Sequence, residues 1–577
     1  MAYNKPSPLI LTSADACIII PSSTGVRQGG PEASKFFNIA MRPIMGKIQN
    51  DVLAASDDLI SYEDNIYVIS LNPNLMQPLK QHFALQKLST GCELRDDKCA
   101  RVSLMSVKQG AAVVDTLGGC IGTKHQRQIF IEQKIQDLQK ALTRLEQLPK
   151  QHSLLILRSS IAMNLKHLLR CMDCMDLTEE IRTIDNMIYT FVDRMRGVQL
   201  DTVRTDIQED ILALPMKMGG AGLSSYQTVL PCARTASLQS SRTELLQRKL
   251  VSHQHMADLQ LQLSHEGVLD SNNKYNAVGP MPTAAEEETT VLSQKQLTAI
   301  AMEKRQQTLL TKLTEEQKLA FVDNTGGHKW MTAIPNNRWR RLLDKQVAAA
   351  LNILLLVPQE TAPLCTRCSN HNSINHFELC SNCTQIPQQQ SARHNHIRDK
   401  IQKYAEKDKD LIVTNEPMLP TQPNIPNNRA DFYISTQAGK AQHHLFFGYF
   451  DIMTKVLLSA HTDLARNTAK QQIVTANITD PIKQQRKILQ AALEVGVKQK
   501  ANTYALHTAA GTNVTALLIS TGGTLHSNFY KFIKKTFPDD TVRCNVLTDI
   551  AIGLIRARTN LYSHVFMIDD AIVETQT

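Results

Sequence analysis

Cys365-x-x-Cys368, His376, Cys380 and Cys383 crowd into one short stretch of the chain. Thiolates and imidazoles are soft donors, and this set exceeds the four that a tetrahedral structural zinc requires. The implied chemistry is a clip that holds a segment with little core of its own. Cysteines elsewhere are scattered singly or form the weak pair Cys171-x-x-Cys174, with His167 nearby. No second pair follows that one at zinc spacing, so a buried helical face is the better account of it. The usage is that of a reduced compartment rather than a disulfide framework. Downstream of the clip, Asp431 in NNRADFYIS and Asp451 in LFFGYFDIMTKV each stand at or beside a short apolar strand. Near the N-terminus a third acid, Asp64, lies in a Tyr-x-Asp turn flanked by β-branched residues, ISYEDNIYVIS. A Gly-x-x-Gln-Gly loop, Gly25 to Gly29, precedes it and opens an apolar helix.

The elements that must position these groups can be sought in composition and periodicity. At 577 residues the chain is too long for one core, which predicts three or four compact units. A net charge of +9 and a pI near 8.8 are compatible with a polyanionic partner without requiring one. No stretch reaches the roughly 18–20 apolar residues of a membrane helix, and the N-terminus lacks a basic region followed by an apolar core. The reading is an intracellular protein, the nucleus included, without membrane partners. Apolar residues Ile131, Ile135, Leu138, Leu142 and Leu145 recur at three and four residues, predicting an amphipathic helix over 126–148. The stretch 267–296, rich in Gly, Pro and Asn and then acidic, predicts a linker. Trp330 and Trp339 are expected as core anchors beside the apolar helix VAAALNILLLVP. TALLISTGGTLHSNFYKFIKKTF predicts a buried strand, a Gly-Gly turn and a basic amphipathic helix.

The N-terminal pieces together resemble consecutive motifs of a reverse-transcriptase palm. TGVRQGGPEASKFFNIAMRPIM matches the loop and helix that lie against template and nucleotide, and Tyr62-Glu63-Asp64-Asn65 matches the metal-binding turn. TGCELRDDKC and LGGCIG then match two later motifs in the correct order. The resemblance assigns Asp64 to a catalytic Mg²⁺ or Mn²⁺, and Gln28, Gly29, Tyr62 and Lys98 to template and nucleotide. Gly30 and Asn65 stand where the family carries carboxylates, and the strand bearing its first metal aspartate should precede Gly25 by more residues than this chain has. The expectation is an N-terminally truncated palm with an incomplete polymerase site. Asp57-Asp58 offers an alternative register for the acid pair.

The remainder is similar to the reverse transcriptase/endonuclease polyprotein of a non-LTR-type retrotransposon. Helices after 126 resemble its thumb, and ALPMKMGGAGLSS its Gly-Gly-x-Gly-Leu segment. The family's Cys-x-x-Cys then His-x-x-x-Cys arrangement selects Cys365, Cys368, His376 and Cys380 as zinc ligands, with Cys383 as the alternative fourth. Arg393-His394-Asn395, Asp431 and Asp451 match its restriction-like endonuclease, in which two carboxylates hold Mg²⁺ and a lysine orients or activates water. Met453 occupies the usual lysine position, so the resemblance moves that role to Lys498 or Lys500 on the next helix, followed by Tyr504. Lys455 on the strand is a further candidate. Ala430 replaces the proline usual before the first acid.

The predicted architecture is multidomain α+β: a partial reverse-transcriptase palm over 1–125, a helical thumb over 126–230, a helical connector over 231–355, a zinc clip over 356–390 and an α/β restriction-endonuclease-like domain over 391–577. The implied function is RNA-directed DNA polymerase joined to a DNA endonuclease, with an RNA template and a DNA target as partners. A non-enzymatic nucleic-acid-binding remnant is the alternative.

Overall fold

The computed structural model describes residues 7–12, 17–22, 33–55, 57–62, 65–70, 72–90, 99, 102–116, 118–198, 203–240, 293–357, 385–420, 425, 427–436, 448–457 and 462–566. The chain is α-rich α+β and divides into two compact units, Met1–Ala112 and Val113–Thr577. The zinc ligands Cys365, Cys368, His376 and Cys380, the loop residues Gln28 and Gly29, and Asp64 and Lys98 lie outside the described residues. So does the stretch read as a linker, except for its last residues, which open a helix.

In the first unit, β1 (Ser7–Thr12) and β2 (Cys17–Ser22) form an antiparallel pair. Helix α1 (Ala33–Asp51) buries Met41, Ile44 and Ile48, spaced three and four apart on one face. Against that face pack Leu59 of β3 (Asp58–Tyr62), Ile66 and Val68 of β4 (Asn65–Ile69), and Phe83 of α2 (Met76–Thr90). β3 and β4 are antiparallel with Tyr62 opposite Asn65, a hairpin where the Tyr-x-Asp motif predicts one. Asp57, from the alternative register, is buried and accepts the Ala54 N–H at 2.9 Å, a turn-closing role. Helix α3 (Leu104–Lys108) ends the unit.

The second unit begins with the short hairpin of β5 (Val114–Thr116) and β6 (Gly119–Ile121), followed by a helical bundle. It comprises α4 (Lys124–Leu145), α5 (Lys150–Ser159), α6 (Leu168–Cys171), α7 (Thr178–Arg196), α8 (Asp206–Ala213), α9 (Tyr226–Ser240), α10 (Gln294–Lys312), α11 (Glu315–Gly327) and α12 (Asp344–Leu354). Sequence dictates where several begin: α4, α8, α10 and α11 each open on Thr/Ser-x-x-Gln, the two side chains reciprocally capping backbone N–H groups. Helix α4 buries Ile131, Leu138, Leu142 and Leu145, the stripe that periodicity predicts. Cys174 is buried in the same core, where burial pushes its thiol up to about 12, while Cys171 is exposed.

The Gly219-Gly220-Ala221-Gly222 turn lies on the end of α8. Ala221 and Gly222 N–H groups donate to the Ile211 and Leu214 carbonyls, both at 2.9 Å. A Cβ on Gly220 would come within 2.1 Å of the Leu214 carbonyl oxygen and 2.6 Å of that of Ile211. Backbone cannot yield as a side-chain tip does, so Gly220→Ala should destabilise this unit by about 3 kcal/mol, the upper end of ordinary overpacking. Denaturant unfolding measures it, and a loss below about 1 kcal/mol would show that the turn can lift off the helix.

The C-terminal part of the second unit builds on a mixed sheet. Helix α13 (Gln385–Ala405) leads into β7 (Leu411–Asn415), β8 (Phe432–Thr436) and β9 (Gly448–Lys455). Then come α14 (Asp463–Thr475), α15 (Pro481–Thr503), α16 (Ala505–Ala509), β10 (Val514–Ser520), α17 (Ser527–Thr536) and α18 (Asp540–Phe566). Strand order is β10-β9-β8-β7, with β10 parallel to β9 and the other pairs antiparallel. Phe432, Ile434, Phe450, Ile452, Leu517 and Ile519 share one sheet face with α13, α17 and α18. Alternation turns Asp451, Met453 and Lys455 to the other face, where α15 packs. Gly496 permits that packing, since a Cβ there would meet Leu518 at 2.1 Å and Met453 at 3.3 Å. The strand, Gly-Gly turn and helix expected over TALLISTGGTLHSNFYKFIKKTF are β10, the 521–524 turn and α17, the last burying Phe529, Phe532 and Ile533.

Sheet and bundle are joined directly. Gly326 and Gly327 at the end of α11 abut Gly522 and Gly523, and buried Asp323 accepts from Ser520 Oγ and from the Gly522 N–H at 3.0 Å. Arg340 reaches across to Asp549 of α18 at 2.6 Å.

Candidate active site

β8 and β9 are paired from Phe432 opposite Phe450, and Asp431, just before β8, donates its N–H to the Phe450 carbonyl at 3.0 Å and accepts the Ile452 N–H on its carboxylate, which brings it beside Asp451. The two carboxyl groups are close enough to shift one another's titration. β8 ends at this point, so the pair lies at the end of a strand with β9 running on beyond it.

Each acid has its own partners. Asp431 Oδ1 lies 2.9 Å from His394 Nε2, and its Oδ2 accepts the Ile452 N–H at 2.5 Å. Burial alone would raise its pKa. His394 and the Ile452 N–H outweigh burial and hold Asp431 below the usual carboxylate range. Asp451 is 4% exposed, and its Oδ2 receives Lys500 Nζ at 2.7 Å and the Tyr504 hydroxyl. Burial, reinforced by the charge of Asp431, pushes Asp451 up despite Lys500 and Tyr504. Two acids with opposite shifts therefore stand side by side, Asp431 the stronger acid and Asp451 the weaker. Burial and the same carboxylates push the Tyr504 hydroxyl up, so it stays a proton donor.

The two lysines on α15 separate cleanly. Lys500 reaches the carboxylate pair, whereas Lys498 is exposed. Lys455, four residues beyond Asp451 on β9, is 7% exposed and its Nζ meets Gln499 Oε1 at 3.0 Å. Burial depresses its pKa.

His394 holds Asp431 from the interior of α13, which begins at Gln385. That contact, and the placement of Gln499 beside Lys455, join residues far apart in sequence. The Arg393-His394-Asn395 triplet was the one sequence signal pointing to the first of them. Among the described residues no group of three or more His, Cys, Asp and Glu side chains is arranged to hold a metal ion. A hard cation such as Mg²⁺ needs less: one or two carboxylates, with water and substrate phosphate completing its shell. The pair offers oxygen donors of that kind.

A cleft of about 850 Å³ also opens in the bundle between α7, α8, α9 and α10. Two of its cations are engaged internally, Arg305 and Lys312 both binding Asp210 at 2.7 and 3.1 Å. It serves as a cross-brace rather than a reaction centre. No helix of the described residues is long and apolar enough to cross a membrane. No protein-family model matches the chain, and no significant match to a curated protein is found.

Proposed function

We propose that the chain is a metal-dependent DNA endonuclease of the restriction-like type, derived from a non-LTR-type retroelement whose polymerase half is vestigial. One observation carries the reading: the Asp431 carboxylate binds the backbone of β9 beside Asp451, and Lys500 reaches Asp451 from the next helix. Asp431 and Asp451 would hold Mg²⁺ or Mn²⁺, and the ion would polarise the phosphate and support the departing oxygen. His394 and the Ile452 N–H keep Asp431 ionised and aimed. Lys500 is placed to orient a water against the phosphate and to balance its charge, and Tyr504 fixes the second carboxylate. Three thiolates and an imidazole, Cys365, Cys368, Cys380 and His376, suit a structural zinc by donor type.

In the polymerase-like half Asn65, opposite Tyr62 in the hairpin, stands where the resembled family carries its second carboxylate, and an amide binds hard cations more weakly. This supports decay there and survival at the sheet. Purified chain with supercoiled DNA and Mg²⁺ should produce nicked circles, and Asp431→Ala should slow nicking by about 10³-fold or more, the equivalent of several kcal/mol of lost charge stabilisation. Equal nicking by wild type and Asp431→Ala, or none by wild type with either Mg²⁺ or Mn²⁺, would leave the non-enzymatic nucleic-acid-binding reading in its place.

A further inference from the structure

Of the two tryptophans, Trp330 is 4% exposed, the anchor the sequence predicts, but Trp339 is 55% exposed. An exposed indole costs hydration, and this one is held rigidly in place. Arg556 Nη2 donates to the Trp339 and Arg341 carbonyls at 2.8 and 2.9 Å. Asn337 Oδ1 accepts the Trp339 and Arg340 N–H groups at 3.0 and 3.1 Å. Lys400 of α13 sits over the ring, Nζ 5.0 Å from its centroid.

The surroundings are cationic. Arg338, Arg341 and Lys403 are exposed and have no ion-pair partner among the described residues. Burial, and the nearby charges of Lys403, Arg340 and Arg556, depress the Lys400 ammonium. The facing acid, Asp549, is engaged by Arg340 at 2.6 Å and by the Tyr404 hydroxyl at 3.0 Å. An exposed indole flanked in the chain by the exposed cations Arg338 and Arg341 is the arrangement that stacks an unpaired base and holds the phosphates beside it. Duplex DNA offers no free base face to such a ring.

We infer that Trp339, with Arg338, Arg341 and Lys403, forms a binding site for single-stranded nucleic acid outside the carboxylate centre. Helix α13 carries both sites, since His394 and Lys400 are six residues, about 9 Å of axial rise, apart. The inference shares with the nuclease reading only nucleic acid as the ligand class, and its test reads binding without cleavage.

Trp330 is buried and shielded from a bound strand, so a change in emission on binding reports on Trp339. In EDTA, titrating a single-stranded oligothymidylate into the full chain should quench the emission saturably, and duplex of equal length should quench it far less. Trp339→Phe should remove the signal while keeping most of the affinity measured by anisotropy of a labelled strand, and Trp339→Ala should weaken binding about tenfold or more. The double change Arg338→Ala/Arg341→Ala should weaken it as well and reduce the slope of log K against log salt by about 1.4, two phosphate contacts on a single strand. Three outcomes overturn the site: no quenching, equal quenching by duplex, or equal competition by polyglutamate, which would mark an acidic-polypeptide surface. Intact quenching without nicking sinks only the nuclease reading, and nicking without quenching sinks only this one.

Discussion

Lys500→Met is expected to lower Mg²⁺-dependent nicking by about 10²–10⁴-fold, while Lys498→Met leaves it within about twofold. The two positions differ by about 200° around a helix of 3.6 residues per turn, so only one can face the sheet. Gly496 decides which. It lies against Leu518 and Met453, and Lys500, one turn on, shares its face and reaches Asp451 at 2.7 Å. Lys498 points to solvent from the other side. A rival is Lys455, closer to Asp451 in sequence but held by Gln499 at 3.0 Å. If Lys455→Met gives the large loss and Lys500→Met does not, the lysine role belongs to the strand. Circular dichroism and thermal melting of each variant separate chemistry from misfolding, and a Lys500→Arg variant that regains part of the rate would favour a charge role over proton transfer.

Local patterns were legible in the chain and long-range pairings were not. The stripe of α4, the buried strand β10 and the amphipathic helix α17 each follow from spacing within a dozen or so residues, which fixes what a segment buries. Asp431 and Asp451 were nameable because each adjoins an apolar run, yet their proximity depends on the register of β8 on β9, which no local pattern states. The lysine choice depended on where α15 touches the sheet, set by Gly496, whose small size is a signal only once Leu518 is known to lie beneath it. Trp339 was misread for the opposite reason. A large aromatic beside an apolar helix is usually core, and what keeps this one outside is a loop pinned by Arg556, more than two hundred residues away.

Asp451→Asn should abolish nicking yet raise the melting temperature of the metal-free protein at neutral pH. In the unfolded chain an aspartate titrates near 3.9. In the folded protein burial and the charge of Asp431 raise Asp451 above that value, even with Lys500 and Tyr504 against it. Between pH 4 and the raised folded value, the unfolded state loses its proton while the folded state keeps one, so stability falls as pH rises through that window. Asparagine has no proton to lose and escapes the penalty. Asp431 has the opposite sign, adding stability above about pH 3.9 that is lost on acidification, but it is present in both proteins and largely cancels in the comparison. The gap in melting temperature, variant above wild type, should therefore be small below pH 4, widen as pH rises to the raised folded value, and hold steady above it in EDTA. Mg²⁺ should narrow it, because an ion that binds only the folded wild type stabilises it by mass action and an amide forgoes most of that binding. A variant that melts lower than wild type at pH 7.5 in EDTA would mean that the ion pair with Lys500 stabilises the fold outright, and the carboxylate would then be a structural anchor instead of a ligand kept at a cost in stability.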